Sequence, residues 1–436
     1  MADFARSADP AVQRQLDRLG SSIYAVDVLG LERISALLER LGRPQDHLPP
    51  LFHVAGTNGK GSTCAFLRAA LEAAGHRVHA FTSPHLVRFN ERIRIAGKLI
   101  EDSQLAPLLE EVLDAGEGLE ATFFEVTTAA ALLAFARNPA DAVILEVGLG
   151  GRLDATNVVD RPLVTAIASL GLDHQIYLGD RLTDIAAEKA GIAKRGVALI
   201  TQAYSAEVAG RVAEVAAAAG ALVVARGASW VVQPEGGRLL YRDAQGELSL
   251  PLPSLAGEHQ VLNAGLAIAM LRHQSMLEVP HAALAQAMRS TEWPARLQQL
   301  ASGALIERLP RGSELWIDGG HNQSAALLVA AHAREAWSDG LPLTLIFASL
   351  RTKDAAAILA PFRGIAAEVR TLPIAGHDSR DPGELAKMAH DLGFAASAHQ
   401  NLDEALAAVT APARVLVFGS LYLAGLALSL YGSLPD

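Results

Sequence analysis

Short, continuous runs of apolar residues alternate with longer Ala- and Leu-rich stretches along most of the chain. Each run has the length of a strand that is buried on both faces, and the stretches between the runs have the composition of helices. The first series of predicted strands covers residues 51–54, 78–81, 142–147, 163–168, 197–201 and 221–225, with helices over 62–74 and 206–219. Strands that alternate with helices in this way predict an α/β fold with a doubly wound, mostly parallel sheet.

Residues 229–252 follow a different pattern, in which polar and apolar residues alternate around glycine-containing turns. This pattern predicts antiparallel hairpins. A second α/β series follows, with strands over 315–317, 343–347, 368–372 and 415–418. A proline-containing break at 291–296 separates the two series. The sequence therefore predicts a larger domain over residues 1–296 and a smaller, Rossmann-like α/β domain over residues 297–436.

One stretch, residues 415–431, has no charged residue and approaches the length of a membrane span. Gly419 and Ser420 interrupt it, so that an apolar run of strand length precedes an Ala- and Leu-rich run of helix length. We therefore predict a buried strand followed by a packed helix, and no membrane span.

Composition narrows the class of protein. The 436 residues are 50% hydrophobic and 19% charged, which is enough for large buried cores. The net charge of −10 argues against general binding to nucleic acid, because such binding depends on neutralising phosphates. Cys64 is the only cysteine, which excludes an intrachain disulfide and a zinc cluster held by thiolates. The N-terminus shows no signal-peptide pattern, so we expect a cytoplasmic protein.

The strongest motif is a glycine-rich loop between the first predicted strand and the helix after it. Such a loop lets backbone N–H groups and a helix N-terminus surround a phosphate, and a lysine in it can reach the β- and γ-phosphate oxygens. The spacing differs from the usual G-x-x-x-x-G-K-[ST], yet the strand, loop, lysine and helix together favour nucleotide binding over a structural turn. The predicted phosphate-binding residues are Gly56, Thr57, Asn58, Gly59, Lys60, Gly61 and Ser62.

The amino-acid sequence of this loop resembles that of the folylpolyglutamate and dihydrofolate synthases of the Mur ligase superfamily. Other segments resemble signatures of the same family, and the string from Glu146 to Asn157 is very specific. These segments are residues 82–86, 91–93, 145–157, 188–192, 257–263 and 318–322. The resemblance extends from about residue 20 to about residue 425 and implies that the first domain binds ATP.

A buried triphosphate needs a cation, and Mg²⁺ prefers oxygen ligands with phosphate and water completing its shell. Glu146 ends a buried strand, where α/β sheets place ligands, and a carboxylate there is costly unless it is paired or bound to a metal. The resemblance implies Ser83, Glu146 and His174 as magnesium ligands. It also implies that Lys189 is carbamylated and holds a second Mg²⁺.

The resemblance implies an ATP-dependent ligase of folate biosynthesis. A substrate carboxylate would attack the γ-phosphate to give an acyl phosphate, and the amine of L-glutamate would then displace phosphate. Lys60, Glu146, His174 and Lys189 are the residues expected to act in this chemistry, mainly through positioning and electrostatics.

Further residues are implied by resemblance alone. For ATP they are Asn263, Arg296, Asp318 and His321, from both predicted domains; for dihydropteroate or folate they are Thr122, Phe123, Leu153, Asp154 and Ala155. The stretch 23–31 is expected to add to the pterin pocket. The chain departs from the family in its linker, where Pro294-Ala295-Arg296-Leu297 replaces Pro-Gly-Arg-Phe.

Two other functions stay open on the sequence. A cell-wall Mur ligase shares the mechanism but normally has a separate domain before the phosphate loop, and only 55 residues precede Gly56 here. A nucleotide-dependent switch would not require Glu146, His174 and the Arg296–Asp318 pair together. We expect a monomer with small-molecule partners, and neither nucleic acid nor membrane among them.

Overall fold

The computed structural model describes residues 5–21 and 29–432. Contacts divide the chain into two compact units. The first comprises Met1–Ser254 and Gln260–Glu292, and the second comprises Leu255–His259 and Trp293–Pro435. The predicted division into domains of residues 1–296 and 297–436 stays a prediction.

The first unit contains eleven of the described strands in two sheets. The strands are β1 Leu51–Ala55, β2 Val78–Phe81, β3 Ile93–Ile95, β4 Lys98–Leu99, β5 Ala142–Glu146, β6 Val164–Ile167, β7 Ala198–Thr201, β8 Leu222–Ala225, β9 Trp230–Glu235, β10 Arg238–Asp243 and β11 Gly246–Pro251. Its helices are α1 Pro10–Ser21, α2 Glu32–Arg40, α3 Lys60–Ala73, α4 Asp102–Ala115, α5 Phe123–Arg137, α6 Gln175–Leu178, α7 Leu182–Ala190, α8 Ala206–Ala219, α9 Glu258–Arg272 and α10 His281–Ser290, of which α9 begins in the second unit.

The large sheet has the order β4-β3-β2-β5-β1-β6-β7-β8 and is parallel except at β3 and β4. Every residue of β1 and β5 is buried, so that both faces of the sheet are covered, as continuous apolar strands predict. One apolar cluster packs α1, α2, α4 and α5 on β1, β2 and β5, and another packs α7 and α8 on β6 and β7. The remaining three strands, β9 to β11, form the predicted antiparallel sheet.

The second unit is a six-stranded sheet with helices. Its elements are β12 Gln298–Gln299, β13 Glu314–Ile317, β14 Leu343–Phe347, β15 Ala366–Thr371, β16 Ala395–Ala398 and β17 Arg414–Phe418, with α11 Gln323–Ala336, α12 Ala355–Leu359, α13 Pro382–Asp391, α14 Leu402–Ala407 and α15 Leu421–Tyr431. The order is β12-β13-β17-β14-β15-β16, and only β12 is antiparallel. Both units confirm the predicted fold class.

The uncharged run is a strand and a helix, as predicted. Residues 415–418 lie in the central strand β17, and residues from 421 onward form α15. Among residues 5–21 and 29–432, no helix has the length and apolarity needed to cross a bilayer.

Candidate active site

The predicted site residues of the first unit gather at one edge of the large sheet. Parallel pairing places the carboxyl ends of β2, β5, β1 and β6 side by side, with Val54 of β1 opposite Glu146 of β5. The chain leaves β1 toward one side of the sheet and later continues through β6 on the other side. α/β sheets bind ligands at such a reversal of strand order.

The phosphate loop joins β1 to α3 and is tied to the segment after β6. The backbone N–H groups of Thr57 and Asn58 donate to the Ser169 carbonyl, at 2.8 and 3.2 Å. The Thr57 hydroxyl lies 3.0 Å from the Gly171 carbonyl oxygen and 3.2 Å from the Gly171 nitrogen. The N–H groups of residues 59–62 open α3, where no earlier turn of helix can accept from them. Such N–H groups can hold an anion, so they fit the predicted phosphate site.

Two glycines are required by the packing of this loop. Gly56 has φ +150°, and a Cβ there would lie 2.9 Å from the Cβ of Ala168. Gly59 has φ +85°, and a Cβ there would lie 2.4 Å from Oδ1 of Asn263. Asn263 is 3% exposed, and its amide donates to Gln260 Oε1 at 3.0 Å. The closeness of its Oδ1 to Gly59 places this amide against the loop. The structure thus brings Asn263 to the predicted phosphate site.

Lys60 is the first residue of α3, and its ammonium group lies over the loop. Nζ donates to the carbonyl oxygens of Gly56 and Thr57, at 3.1 and 3.3 Å. The cation is therefore already held beside the N–H groups at the start of α3. Two sources of positive potential converge at one point.

Glu146 and Ser83 come together, although 63 positions separate them in sequence. Glu146 ends β5 and is 5% exposed, and its Oε2 accepts a hydrogen bond from Ser83 N at 3.2 Å. Its charge, together with burial, raises the pKa of the Cys64 thiol on α3, which places the carboxylate near that helix. A buried carboxylate beside a serine supplies the oxygen donors that Mg²⁺ prefers, so these two residues fit the metal.

Lys189, on α7, is 4% exposed and lies near Lys60. Burial, reinforced by the charge of Lys60, lowers the pKa of Lys189 to about 7, while Asp173 and Asp154 oppose the shift. Asp173 also accepts a hydrogen bond from His174 N at 2.8 Å, and His174 has a left-handed backbone with φ 53°. Asp173 thus connects the surroundings of Lys189 with His174.

In the described part of the chain, no three His, Cys, Asp or Glu side chains cluster as a metal site. Glu146 and Ser83 would therefore be joined by phosphate and water rather than by a full cage of protein ligands, which is the usual way that proteins bind Mg²⁺.

The loop after β5 packs tightly on α7. A Cβ on Gly151 would lie 2.7 Å from the Glu188 carbonyl oxygen and 2.9 Å from Lys189 Cα. A Cβ on Gly191 would lie 2.3 Å from the Cβ of Arg152, and Arg152 N donates to the Glu188 carbonyl at 2.7 Å. These contacts fix the position of Lys189 relative to the loop after β5. They also explain why residues 151 and 191 are glycines.

The predicted acceptor residues divide into two environments. Phe123 is 6% exposed and packs in the core against Phe89, with the Arg92 guanidinium 5.4 Å from its ring centre. Phe124 is only partly buried, and its ring lies where a Cβ on Gly148 would be, at 2.3 Å. Phe124 therefore presents the aromatic face at the end of β5.

Thr122 and Asp154 have local structural partners. Thr122 caps α5, with its hydroxyl accepting from Glu125 N at 3.2 Å. Asp154 is 3% exposed and accepts from Leu149 N at 2.8 Å and Thr156 N at 3.0 Å. Leu153 is half-buried and Ala155 is buried beside it. Of the predicted stretch 23–31, residues 23–28 lie outside the described residues.

In the second unit, Asp318, Arg296 and His321 are neighbours at the end of β13. Asp318 is 4% exposed; its oxygens accept from Leu297 N at 2.8 Å and Gly320 N at 2.7 Å. Burial raises the pKa of Asp318, and the positive charge of Arg296 opposes the rise. His321 lies beside them through a 3.0 Å contact of Nδ1 with the Gly319 carbonyl.

The linker departure noted in the sequence has a structural cost. Ala295 has φ 56°, a conformation that glycine adopts freely and L-residues disfavour by about 1 kcal/mol. Leu297 has φ 43°, so both residues beside Arg296 are left-handed. Strain of this kind persists where surrounding contacts enforce it, here through Asp318.

Comparison with known proteins agrees with this geometry. Residues 54–271 match the Mur ligase middle domain family. The chain is 36% identical over 397 residues to the dihydrofolate synthase/folylpolyglutamate synthase of Escherichia coli (strain K12), covering 90% of this chain and 89% of the relative. The chain belongs to the folylpolyglutamate and dihydrofolate synthase family.

Solved structures of this family are similar over almost the whole chain. E. coli FolC, solved in complex with DHPP and ADP, superposes with a TM-score of 0.87 at 32% identity and covers 98% of both chains. A bifunctional folylpolyglutamate synthase/dihydrofolate synthase with Mn, AMPPNP and L-glutamate bound has a TM-score of 0.85 at 30% identity and covers 98% of this chain and 99% of that one. The resemblance seen in the motifs is confirmed: the chain is an ATP-dependent ligase that uses a divalent metal.

Some residues of this folate ligase site were not singled out from the sequence. Two such residues are Asp173, which precedes His174, and His53, which lies on β1. The sequence signal for His53 is a polar residue inside the apolar run that precedes the phosphate loop, and the structure places it, 0% exposed, in β1. A polar side chain inside an apolar strand usually has a hydrogen-bond partner elsewhere in the fold.

Proposed function

We propose that the chain joins L-glutamate to dihydropteroate, to reduced folate, or to both, through an acyl phosphate. The observation that supports this most strongly is the convergence of the α3 N-terminus, Lys60 and buried Glu146 at one sheet edge. The relatives named above are solved with DHPP, with ADP or AMPPNP, and with L-glutamate, and these are the ligand classes that the reaction needs.

In the proposed reaction, the acceptor carboxylate attacks the γ-phosphorus, so that ADP leaves and an acyl phosphate forms. The glutamate amine then attacks the acyl carbon, and phosphate leaves as the amide forms. N–H groups at residues 59–62 and the Lys60 ammonium would stabilise the charge on the transferring phosphoryl group. When bound, Mg²⁺ supplies further neutralisation of the phosphates, held by Glu146 and Ser83.

We propose His174 as a further ligand of the Mg²⁺ held by Glu146 and Ser83, and Lys189, once carbamylated, as a ligand of a second Mg²⁺. A lysine with a pKa of about 7 is substantially neutral at physiological pH, and the neutral amine is the form that adds to carbon dioxide. Isotopically labelled bicarbonate tests this, because a carbamate carbon resonance should appear in the wild type and be absent from Lys189→Met.

For the nucleotide, we propose contacts from Asn263 in the first unit and from Arg296, Asp318 and His321 in the second. For the acceptor, we propose Thr122, Leu153, Asp154, Ala155 and Phe124, with Phe124 taking the aromatic role first assigned to Phe123. Phe124 is supported by its exposure at the end of β5, whereas the Phe123 ring is enclosed by Phe89 and Arg92.

The test is a product assay with purified protein, ATP, Mg²⁺ and L-glutamate, offering dihydropteroate and tetrahydrofolate separately. We expect a glutamyl adduct by mass with at least one acceptor, and phosphate release that requires both glutamate and acceptor. Adduct with neither acceptor refutes the substrate assignment. Phosphate release that is indifferent to both would instead support a nucleotide switch.

A further inference from the structure

Three buried side chains of the first unit form a continuous hydrogen-bonded row behind the site. His53 Nε2, on β1, lies 2.8 Å from Thr156 Oγ1, and Thr156 Oγ1 bonds in turn to Asp154 Oδ1. His53 and Thr156 are 0% exposed and Asp154 is 3% exposed. The row therefore connects the central strand of the sheet to the loop after β5.

When Asp154 is ionised, only one assignment of hydrogen-bond donors and acceptors is possible along this row. Burial raises the pKa of the Asp154 carboxyl, while hydrogen bonds from the backbone N–H groups of Leu149, Thr156 and Gly148 oppose the rise by favouring the charged form. Thr156 has one hydroxyl proton and must donate it to Asp154. Its oxygen therefore accepts from His53, whose proton resides on Nε2.

The remaining nitrogen of His53 agrees with this assignment. Nδ1 is buried and has no hydrogen-bond partner among the described residues, as expected of an unprotonated ring nitrogen. Burial, together with the charge of Lys194, lowers the pKa of His53 to about 3, so the ring is neutral at physiological pH. The imidazole thus serves as a fixed donor.

Asp154 is the end of the row that lies nearest to the proposed site residues Lys189 and Phe124. Its charge acts on Lys189, and its Oδ2 holds Leu149 N beside Gly148, on which the Phe124 ring rests. A rotation of the carboxylate would therefore disturb both the aromatic surface at the end of β5 and the surroundings of Lys189.

We propose that His53 is a positioning residue for the acceptor: through Thr156 it fixes the Asp154 carboxylate and the loop that shapes the acceptor pocket. This inference rests on the proposed function, since it assumes that Asp154 and Phe124 face the pterin-bearing acid.

The variants separate the hydroxyl from the volume of the side chain. Thr156→Val removes the hydroxyl at constant shape and Thr156→Ser retains it. His53→Leu removes the donor, and His53→Gln keeps an N–H near the Nε2 position. Thr165→Val is the matched control, because Thr165 is equally buried and its hydroxyl donates to the Ala198 carbonyl, at 3.2 Å, outside the row.

We expect Thr156→Val and His53→Leu each to raise KM for the acceptor about tenfold, the effect of losing one hydrogen bond to a charged group, while KM for ATP changes less than about twofold. The Ser and Gln variants should recover most of the acceptor affinity, and the control should resemble the wild type. The double variant should be no worse than Thr156→Val alone, because the row is then already broken.

Three results would overturn the proposal: an unchanged acceptor KM in Thr156→Val, equal losses for ATP and acceptor, or additive losses in the double variant. Long-range proton–nitrogen NMR of the wild-type protein provides a test that depends neither on activity nor on the folding of a variant. A proton on Nε2 of His53 supports the row and one on Nδ1 refutes it. If the wild-type protein makes no glutamyl product, the proposed function is refuted instead. The NMR result would still show whether the hydrogen-bonded row from His53 to Asp154 exists.

Discussion

The contact between Gly191 and Arg152 makes a sharp prediction for Gly191→Ala. Gly191 has φ −62° and ψ −6°, so alanine fits the backbone, and the effect must come from the added methyl group alone. That methyl would lie 2.3 Å from Arg152 Cβ and 2.6 Å from Arg152 Cα, against ordinary contacts of 3.4–4 Å. The loop and α7 would have to separate by about 1 Å.

Overpacking of this kind costs about 1–3 kcal/mol, and here the obstructing atoms belong to backbone or to Cβ and have no rotamer to change. Separation would also stretch the 2.7 Å bond from Arg152 N to the Glu188 carbonyl and the 3.2 Å bond from Asn157 Nδ2 to the Gly191 carbonyl. We expect the free energy of unfolding to fall by about 1–3 kcal/mol. We also expect kcat to fall at least about tenfold, because Lys189 moves relative to the phosphate loop.

Gly210→Ala is the matched control. Gly210 lies within α8, and a Cβ there would meet no atom of the described residues within 4 Å. The same substitution should therefore stabilise the protein by about 0.5–1 kcal/mol through helix propensity and leave kcat unchanged. Denaturant unfolding followed by circular dichroism and steady-state kinetics measure both variants. Wild-type stability and kcat in Gly191→Ala would show that the loop yields freely and that its packing does not position Lys189.

Three further predictions concern single groups. Lys60→Met should lower kcat by at least about a hundredfold, because it removes the cation beside the α3 N-terminus, while the circular dichroism spectrum is retained; substantial turnover would contradict its role. Glu146→Gln should abolish turnover and weaken Mg²⁺ binding, measured by calorimetry with nucleotide present, and full activity would remove Glu146 from the metal site. Because the pKa of His53 is lowered to about 3 from an ordinary 6.5, the unfolded chain takes up a proton that the folded chain refuses. Stability should therefore be retained above pH 6.5 and fall as pH decreases below it. The slope should approach about 1.4 kcal/mol per pH unit, and His53→Gln should reduce it.

Most strands of the eight- and six-stranded sheets could be predicted because burial on both faces makes them continuously apolar, whereas β16, which is partly exposed, was not. The predicted run 142–147 corresponds to β5, and 343–347 is β14 itself. The helix after the phosphate loop begins at Lys60 rather than Ser62, because Gly59 adopts the left-handed conformation that starts it. The three-residue strand β3 and the two-residue strands β4 and β12 are too short to leave a hydrophobic pattern.

The site was predictable only in part. Motifs located the phosphate loop and Glu146, but Phe123 and Phe124 are adjacent on a helix and point about 100° apart, so the sequence alone could not decide which ring is in the core. The electrostatic effect of Asp173 on Lys189 and the hydrogen bond of His53 with Thr156 join separate parts of the chain and leave no local pattern. The catalytic roles of the individual residues stay predictions.

The bonds from Thr57 and Asn58 to the segment after β6 have a thermodynamic consequence for nucleotide affinity. Fixing one residue costs about 1–2 kcal/mol of conformational entropy, and this loop is fixed when the domain folds rather than when ATP arrives. At the proposed nucleotide site the ligand would therefore meet a loop that is already ordered, and little of its binding energy would be lost in ordering it. It follows that a change at Gly171 that displaces its contacts with Thr57 would weaken nucleotide binding without removing a single contact to the nucleotide.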